Sequence, residues 1–322
     1  MPRIGFLGPP GTFTEQALLS QEDLAALELV PLPSIPDVLA ATEAGDVDLG
    51  FVPVENAIEG TVNVTLDTLA FDMSLLIQRE VVLAIDLHLL ARPGTKLEDV
   101  GTVVSMPMAT AQVRGFLKRE LPGATTVAAN STAEAARIVA EDGGDGDGFA
   151  AVGPQHAGEL YGLDVLAAGI EDHPDNATRF VVVAREGVPV PTGHDKSTIV
   201  CFQRVDQPGS LLAMLQEFAA RAINLSKLES RPTKRGLGDY CFIIDLEGHV
   251  SDELVADCLR DLKAKTLDVK FLGSYPAAGE HGESVRRDAD AAWRAADAWV
   301  AELRRGIASP SEGWQSGRMR RS

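Results

Sequence analysis

The sequence predicts an α/β fold followed by a second, smaller unit of ferredoxin-like type. Two observations carry that expectation. Over residues 4–184 short apolar or β-branched runs alternate with stretches of helical periodicity, as in a sheet covered by helices. Beyond residue 196 the order becomes βαββαβ, the ferredoxin-like supersecondary pattern. Between them, 187–195 carries Pro189, Pro191 and Gly193 and reads as a linker. The expected domains are therefore 1–187 and 196–276, followed by a C-terminal segment over 280–322.

The first strand is expected over 4–7, and Thr12-Phe13-Thr14-Glu15 fits a capping box that opens a helix to about residue 21. Ser34 or Asp37 starts a second helix that stops near Gly45. A strand over 49–54, a helix over 61–72 and a long extended stretch over 75–90 follow. Residues 100–105 read as a strand and 107–121 as one helix with Pro107 in its first turn. Then come a strand over 125–129 and a helix over 132–141. Gly143-Gly144-Asp145-Gly146-Asp147-Gly148 reads as a flexible solvated loop, because it lacks the fixed order of a calcium loop. A strand over 149–152, a helix over 154–161 and a strand over 180–184 complete the first unit. The second unit has strands over 197–204, 225–231, 240–246 and 269–274, with helices over 209–221 and 251–263. Val285, Ala289, Ala292, Trp293, Ala296, Val300 and Leu303 recur at helical spacing, so an amphipathic helix is expected over 285–305 and a disordered tail after it.

Composition narrows the function. The formal net charge of −18 repels nucleic acid and anionic membranes. No run of eighteen apolar residues exists, and a strand by Ile4 leaves no room for a signal segment, so a cytoplasmic protein is expected. Cys201, Cys241 and Cys258 sit in apolar settings without metal-ligand spacing and read as small buried hydrophobes. The six histidines show neither metal spacing nor a Ser-His-Asp arrangement, so no metal and no cofactor is expected. Gly5, Gly8 and Gly11 do not follow G-x-G-x-x-G, which argues against a dinucleotide site.

The most informative residues are Asn176-Ala177-Thr178-Arg179-Phe180, a hydroxyl and a guanidinium where a loop becomes the apolar run ending at Ala184. Polar groups at such strand ends face ligand crevices in open α/β sheets. Taken alone, Thr178 as a turn cap and Arg179 as a surface ion-pair partner would be the better account of them. Three further segments alter that balance: Gly8-Pro9-Pro10-Gly11-Thr12-Phe13-Thr14, Pro53-Val54-Glu55-Asn56-Ala57-Ile58-Glu59-Gly60, and Glu229-Ser230-Arg231-Pro232 with Pro208-Gly209-Ser210-Leu211-Leu212 ahead of it. Together, and in this order over residues 1–276, they resemble the prephenate dehydratase family with its C-terminal ACT module.

The resemblance implies two lobes arranged as in type II periplasmic binding proteins, with the ligand between them. It implies decarboxylative dehydration of prephenate to phenylpyruvate, with Thr178 at the leaving hydroxyl and Asn56 fixing a substrate oxygen. Ser105 and Gln112 match polar positions at the mouth of the second lobe. Arg179 either pairs a substrate carboxylate or braces its strand. Gly11, Thr12, Phe13, Glu55 and Phe180 complete the implied substrate contacts, with the N–H groups of the loop 8–12 available to an anion. The chain departs from the family pattern at Ala57, where serine or threonine is usual, at Met106, where histidine is common, and at Asn130, often glutamate. All three changes are toward uncharged side chains, which puts any histidine or carboxylate acid–base scheme in doubt.

In the ACT module the resemblance assigns effector contacts to Gly209, Ser210, Leu211, Leu212, Asn224, Leu225, Glu229, Ser230, Arg231 and Pro232. It implies phenylalanine as an allosteric inhibitor, bound between two modules of a homodimer or homotetramer. The sensor reads as separate, so a chain ending near Gly187 is expected to keep some activity and to lose its response to phenylalanine altogether. Two rival readings keep the fold: a clamp that binds an amino or keto acid without chemistry, and a dehydratase acting on arogenate.

Overall fold

A computed structural model describes residues 1–141, 148–204, 207–234, 239–278, 296 and 298–305. The loop expected over 143–148 and the tail over 306–322 fall almost wholly outside them. Of the helix expected over 285–305, residues 296 and 298–305 are described and helical, with Trp299 and Leu303 exposed.

The chain begins with β1 (Arg3–Leu7), β2 (Glu28–Leu32), β3 (Leu49–Asn56), β4 (Gly60–Thr61) and β5 (Leu76–Ala84). It crosses to β6 (His88–Ala91), β7 (Thr102–Ser105), β8 (Thr125–Ala128), β9 (Phe149–Gly153) and β10 (Asp164–Ala167), then returns as β11 (Ala177–Ala184). The first lobe is the sheet β2-β1-β3-β11-β5 with β4 paired to β3, and the second is β10-β6-β9-β7-β8. Residues 85–87 and 168–176 are the two crossings, so the long extended stretch over 75–90 divides between the lobes. Ile4, Phe6, Phe51, Val52, Val181 and Val183 are buried, as expected of strands covered on both faces.

Local chemistry explains the helix ends. Ser34 Oγ accepts from Asp37 N–H at 3.3 Å to open the helix Ile35–Ala44, and Gly45 closes it in the left-handed region. The helix expected over 107–121 is two helices, Pro107–Gln112 and Arg114–Glu120. Asp172 explains the break: its N–H donates to Gln112 O at 2.7 Å, and its carboxylate accepts from Gly115 N–H at 3.0 Å. The segment 61–72 is likewise a short helix, Asn63–Asp67, that widens into a π-turn over Thr68–Asp72. β2 carries Pro31 and β10 is short; both are sheet edges, and neither was expected.

The third sheet has the order β13-β14-β12-β15, from β12 (Asp195–Phe202), β13 (Leu225–Pro232), β14 (Tyr240–Glu247) and β15 (Asp268–Pro276). The helices Ser210–Ala219 and Glu253–Lys265 cover one face, packing Met214, Phe218 and Leu262 onto Ile199, Ile244 and Leu246. Its other face is not free. Val200, Cys241, Ile243, Leu272 and Tyr275 form one apolar cluster with Val38, Val52, Ile77, Val181 and Val183 of the first lobe. At Gly273 the backbones of β15 and β5 come so close that a Cβ would sit 2.5 Å from Ile77 O. The first lobe and this sheet therefore share one core, which a chain ending near Gly187 would leave uncovered. No helix among the described residues is long and apolar enough to cross a membrane.

Candidate active site

A cavity of about 620 Å³ lies between the two lobes. Thr178 and Phe180 from β11, Asn56 from the end of β3, and Thr12 and Phe13 at the start of the helix Phe13–Leu19 reach it from the first lobe. Gln112, Met106 and Ala109 face them from the second, and Ile85, Leu87 and Asn176 come from the crossings. Phe180 backs the wall, stacked on Phe51 with ring centroids 5.2 Å apart.

A neutral hydrogen-bond chain spans the cleft. Asn56 Oδ1 accepts from the N–H groups of Ile58 and Glu59, both at 3.0 Å, which orients its amide. The amide nitrogen then donates to Thr178 Oγ1 and to Asn176 Oδ1, each at 2.9 Å. Asn176 donates to Gln112 Oε1 at 3.1 Å, and Gln112 donates to Glu59 Oε1 at 3.2 Å. The lobes also meet beside the cleft, where His156 Nε2 lies 3.0 Å from Glu15 Oε2 and Tyr161 Oη donates to Pro10 O. Asn176, buried and central to the chain, stands in the motif singled out above but was assigned no role there. Its spacing of two from Thr178 was the available signal, since alternate residues of an extended strand share a face.

Several expected site residues stand elsewhere. Arg179 points to the opposite side of β11 from Thr178. Its guanidinium donates to Glu80 Oε2 at 2.7 Å, Asp245 Oδ2 at 2.5 Å and Tyr275 Oη at 2.9 Å. Of the two roles weighed for it, bracing is the one this geometry supports. Burial opposes its charge, but Asp245, Tyr275 and Glu80 outweigh burial and raise its pKa further above the ordinary arginine value. Glu55 also lies behind the sheet, 3.2 Å from Lys227 Nζ and 3.6 Å from Arg179 Nη1. Ser105 is fully buried and donates to Val152 O at 2.8 Å, so its hydroxyl ties β7 to β9 and does not line the cleft.

The loop 8–12 offers less to an anion than expected. Pro9 and Pro10 have no N–H, Gly8 N–H donates to Leu32 O, and Gly11 N–H donates to Glu15 Oε2. Thr12 Oγ1 caps the helix by accepting from Glu15 N–H. Arg137 is the cation among the described residues lining the cleft, with Glu59 and Glu134 as its acids.

The expected effector residues divide in the same way. Gly209, at φ +89°, precedes the helix that begins with Ser210; Leu211 packs into its core and Leu212 is exposed. Asn224 donates to Glu247 Oε1, Leu225 packs on the module's core, and Ser230 and Pro232 are exposed. Glu229 accepts from Thr61 Oγ1 at 2.6 Å and Arg231 donates to Asp67 at 2.6 Å, so both side chains join the module to the first lobe.

Comparison with known proteins agrees with this architecture. A model of the prephenate dehydratase family matches residues 4–188, and one of the ACT domain matches residues 197–264. A prephenate dehydratase of Mycolicibacterium gilvum is 43% identical over 95% of this chain and 99% of its own length. The structure of a prephenate dehydratase from Arthrobacter aurescens in complex with L-Phe superposes with a TM-score of 0.85 at 39% identity, covering 94% of this chain and 99% of that one. A protein described as a novel type of quorum-quenching acylase superposes at 0.75 with 29% identity, covering 86% and 98%. On the match across residues 4–188 and the near full-length relatives, the chain belongs to the prephenate dehydratase family.

Proposed function

We propose that prephenate, the substrate from which the family takes its name, is dehydrated in this cleft with Thr178 at the leaving hydroxyl. The supporting observation is the direction of one hydrogen bond. Asn56 donates to Thr178 Oγ1, so the threonine keeps its own proton for a ligand, and no acceptor for it lies among the described residues. The ring carboxylate leaves as carbon dioxide, its bonding pair enters the ring, and the ring hydroxyl departs as water after taking up one proton that solvent supplies. Aromatisation drives the step. Thr178 is too weak an acid to transfer a proton early; its hydrogen bond strengthens as charge builds on the departing oxygen. The neutral amides of Asn56, Asn176 and Gln112 hold that donor in place, and Arg137, paired with Glu141 at 2.6 Å, brings a cation to the cleft lining.

The ACT module supports regulation by phenylalanine. That effector, a homodimer or homotetramer, and a cytoplasmic location complete the proposal. The exposed Leu212 and Leu228 give a second copy apolar surface to cover. Phenylpyruvate release after mixing the protein with prephenate, run in parallel with arogenate, tests the reading. Product from neither substrate leaves a binding clamp; faster turnover of arogenate reassigns the substrate.

A further inference from the structure

Resting on the Thr178 reading above, we propose that the regulatory module supplies positioning residues for the dehydration: Tyr275 and Asp245 hold Arg179, and through it set where Thr178 stands in the cleft.

The groups form a closed ring. Thr198 Oγ1 donates to Asp245 Oδ1 at 2.7 Å, so its single proton is taken. Tyr275 Oη, 2.6 Å from Thr198 Oγ1, must then donate to it, and accepts from Arg179 Nη2 at 2.9 Å. Arg179 Nη1 closes the circuit on Asp245 Oδ2 at 2.5 Å. Three of the four members belong to the module; the fourth follows Thr178 directly in the chain. Glu80 on β5 holds Arg179 Nε at 2.7 Å and is itself held by Lys196 Nζ of β12 at 3.0 Å. Thr198, Asp245 and Tyr275 are each at most 2% exposed. A buried ring in which every donor has its acceptor resists gradual displacement, because breaking one member strands the others.

β11 cannot shift Arg179 without moving Thr178, since their backbones are one peptide apart. An error of about 1 Å in a reacting group can lower a rate by about a hundredfold. Any rearrangement of the module that turns β12, β14 or β15 is thereby felt at the leaving hydroxyl.

The test uses the full chain carrying Tyr275→Phe. The expected result is a kcat for prephenate lowered by about five- to twentyfold, a smaller loss than full misplacement would give. KM should stay within about twofold, because substrate binding is untouched. Phenylalanine should bind as before by calorimetry, while the fraction of activity it suppresses changes, since the link between the sites is altered. Thr198→Val, which removes the donor to Asp245 and the acceptor of Tyr275, should give the same signature restricted to kcat. Variants that melt earlier but turn over and respond as the unaltered chain does would overturn the proposal. So would failure of both variants to fold, which would make the ring a folding element only. If the unaltered protein makes no phenylpyruvate, the reading of the cleft fails instead.

Discussion

The two faces of β3 and β11 carry opposite chemistry on the same backbone. Toward the cleft, Thr178 and Asn56 belong to a chain of hydroxyl and amides that bears no charge until it reaches Glu59. Behind the sheet, Arg179 and Glu55 meet Glu80, Asp245 and Lys227 in a dense ionic cluster. A neutral network can follow a substrate whose charge changes during reaction. Buried charges hold one geometry, because separating them leaves an unpaired ion in a medium of low dielectric. Placing the two back to back gives the strand one side that reacts and one that holds.

The hardest way to break this contrast is to remove the holding side altogether. Ending the chain at Gly187 deletes Asp245, Tyr275 and the apolar cover of the first lobe together. Breaking a buried pair alone costs about 3–5 kcal/mol. That corresponds to roughly 10 °C in melting temperature for a unit of this size. Calorimetry should therefore find the shortened chain melting at least about 10 °C lower, and unchanged melting would show that the module is a loose appendage.

On the reacting side the signature reverses. Thr178→Ala should lower kcat by at least about a hundredfold, with melting unchanged within about 2 °C, because the hydroxyl is small and faces a cavity. Thr178→Ser should keep appreciable turnover; equal failure of both would implicate the methyl group.

Neighbouring residues sharpen the comparison further. Asn56→Ala should reduce kcat by about tenfold or more, since it removes the donor that orients Thr178. Glu55→Gln, one residue earlier but on the other face, should change kcat by less than about twofold. Comparable losses in steady-state assays would refute the division of faces.

The last contrast is in stability at high pH. Burial pushes the thiols of Cys201 and Cys258 up to about 12. An unfolded thiol ionises near about 8.5, so above that pH the unfolded chain binds fewer protons than the folded one. Stability should be unaffected by these thiols below about pH 8.5 and fall as pH rises toward 12. Replacing both with alanine should flatten that decline in denaturant titrations.

Much of this was legible in the residues, for identifiable reasons. The runs over 49–54 and 180–184 are β-branched and apolar, so β3 and β11 declared themselves. Ser34 and Gly45 bracket their helix as capping chemistry requires. Thr178, Asn56 and Gln112, each drawn from a separate motif, line one cleft. The failures share a cause, which is that motifs were read as continuous patches. Glu55 beside Asn56, and Arg179 beside Thr178, lie on alternate positions of strands, and the period of two sends one of each pair away. Glu229 and Arg231 were hidden differently: that β13 lies against Thr61 and Asp67 depends on how two sheets pack, which no local pattern records. The break at Val113 depends on Asp172, a partner 59 positions away.

The ring around Arg179 also bears on inheritance. A regulatory module joined by a linker alone could be exchanged between enzymes as a cassette. Here a transplanted module would need an acid and a phenol facing position 179, and a glycine where β15 meets Ile77. A foreign ACT sheet lacking them would leave Arg179 at the joint with Glu80 but without two of its three hydrogen-bond partners. Positions 179, 245 and 275 should therefore drift together in descendants of this chain, and recombination between relatives should succeed only where its breakpoints carry all three in one parental set.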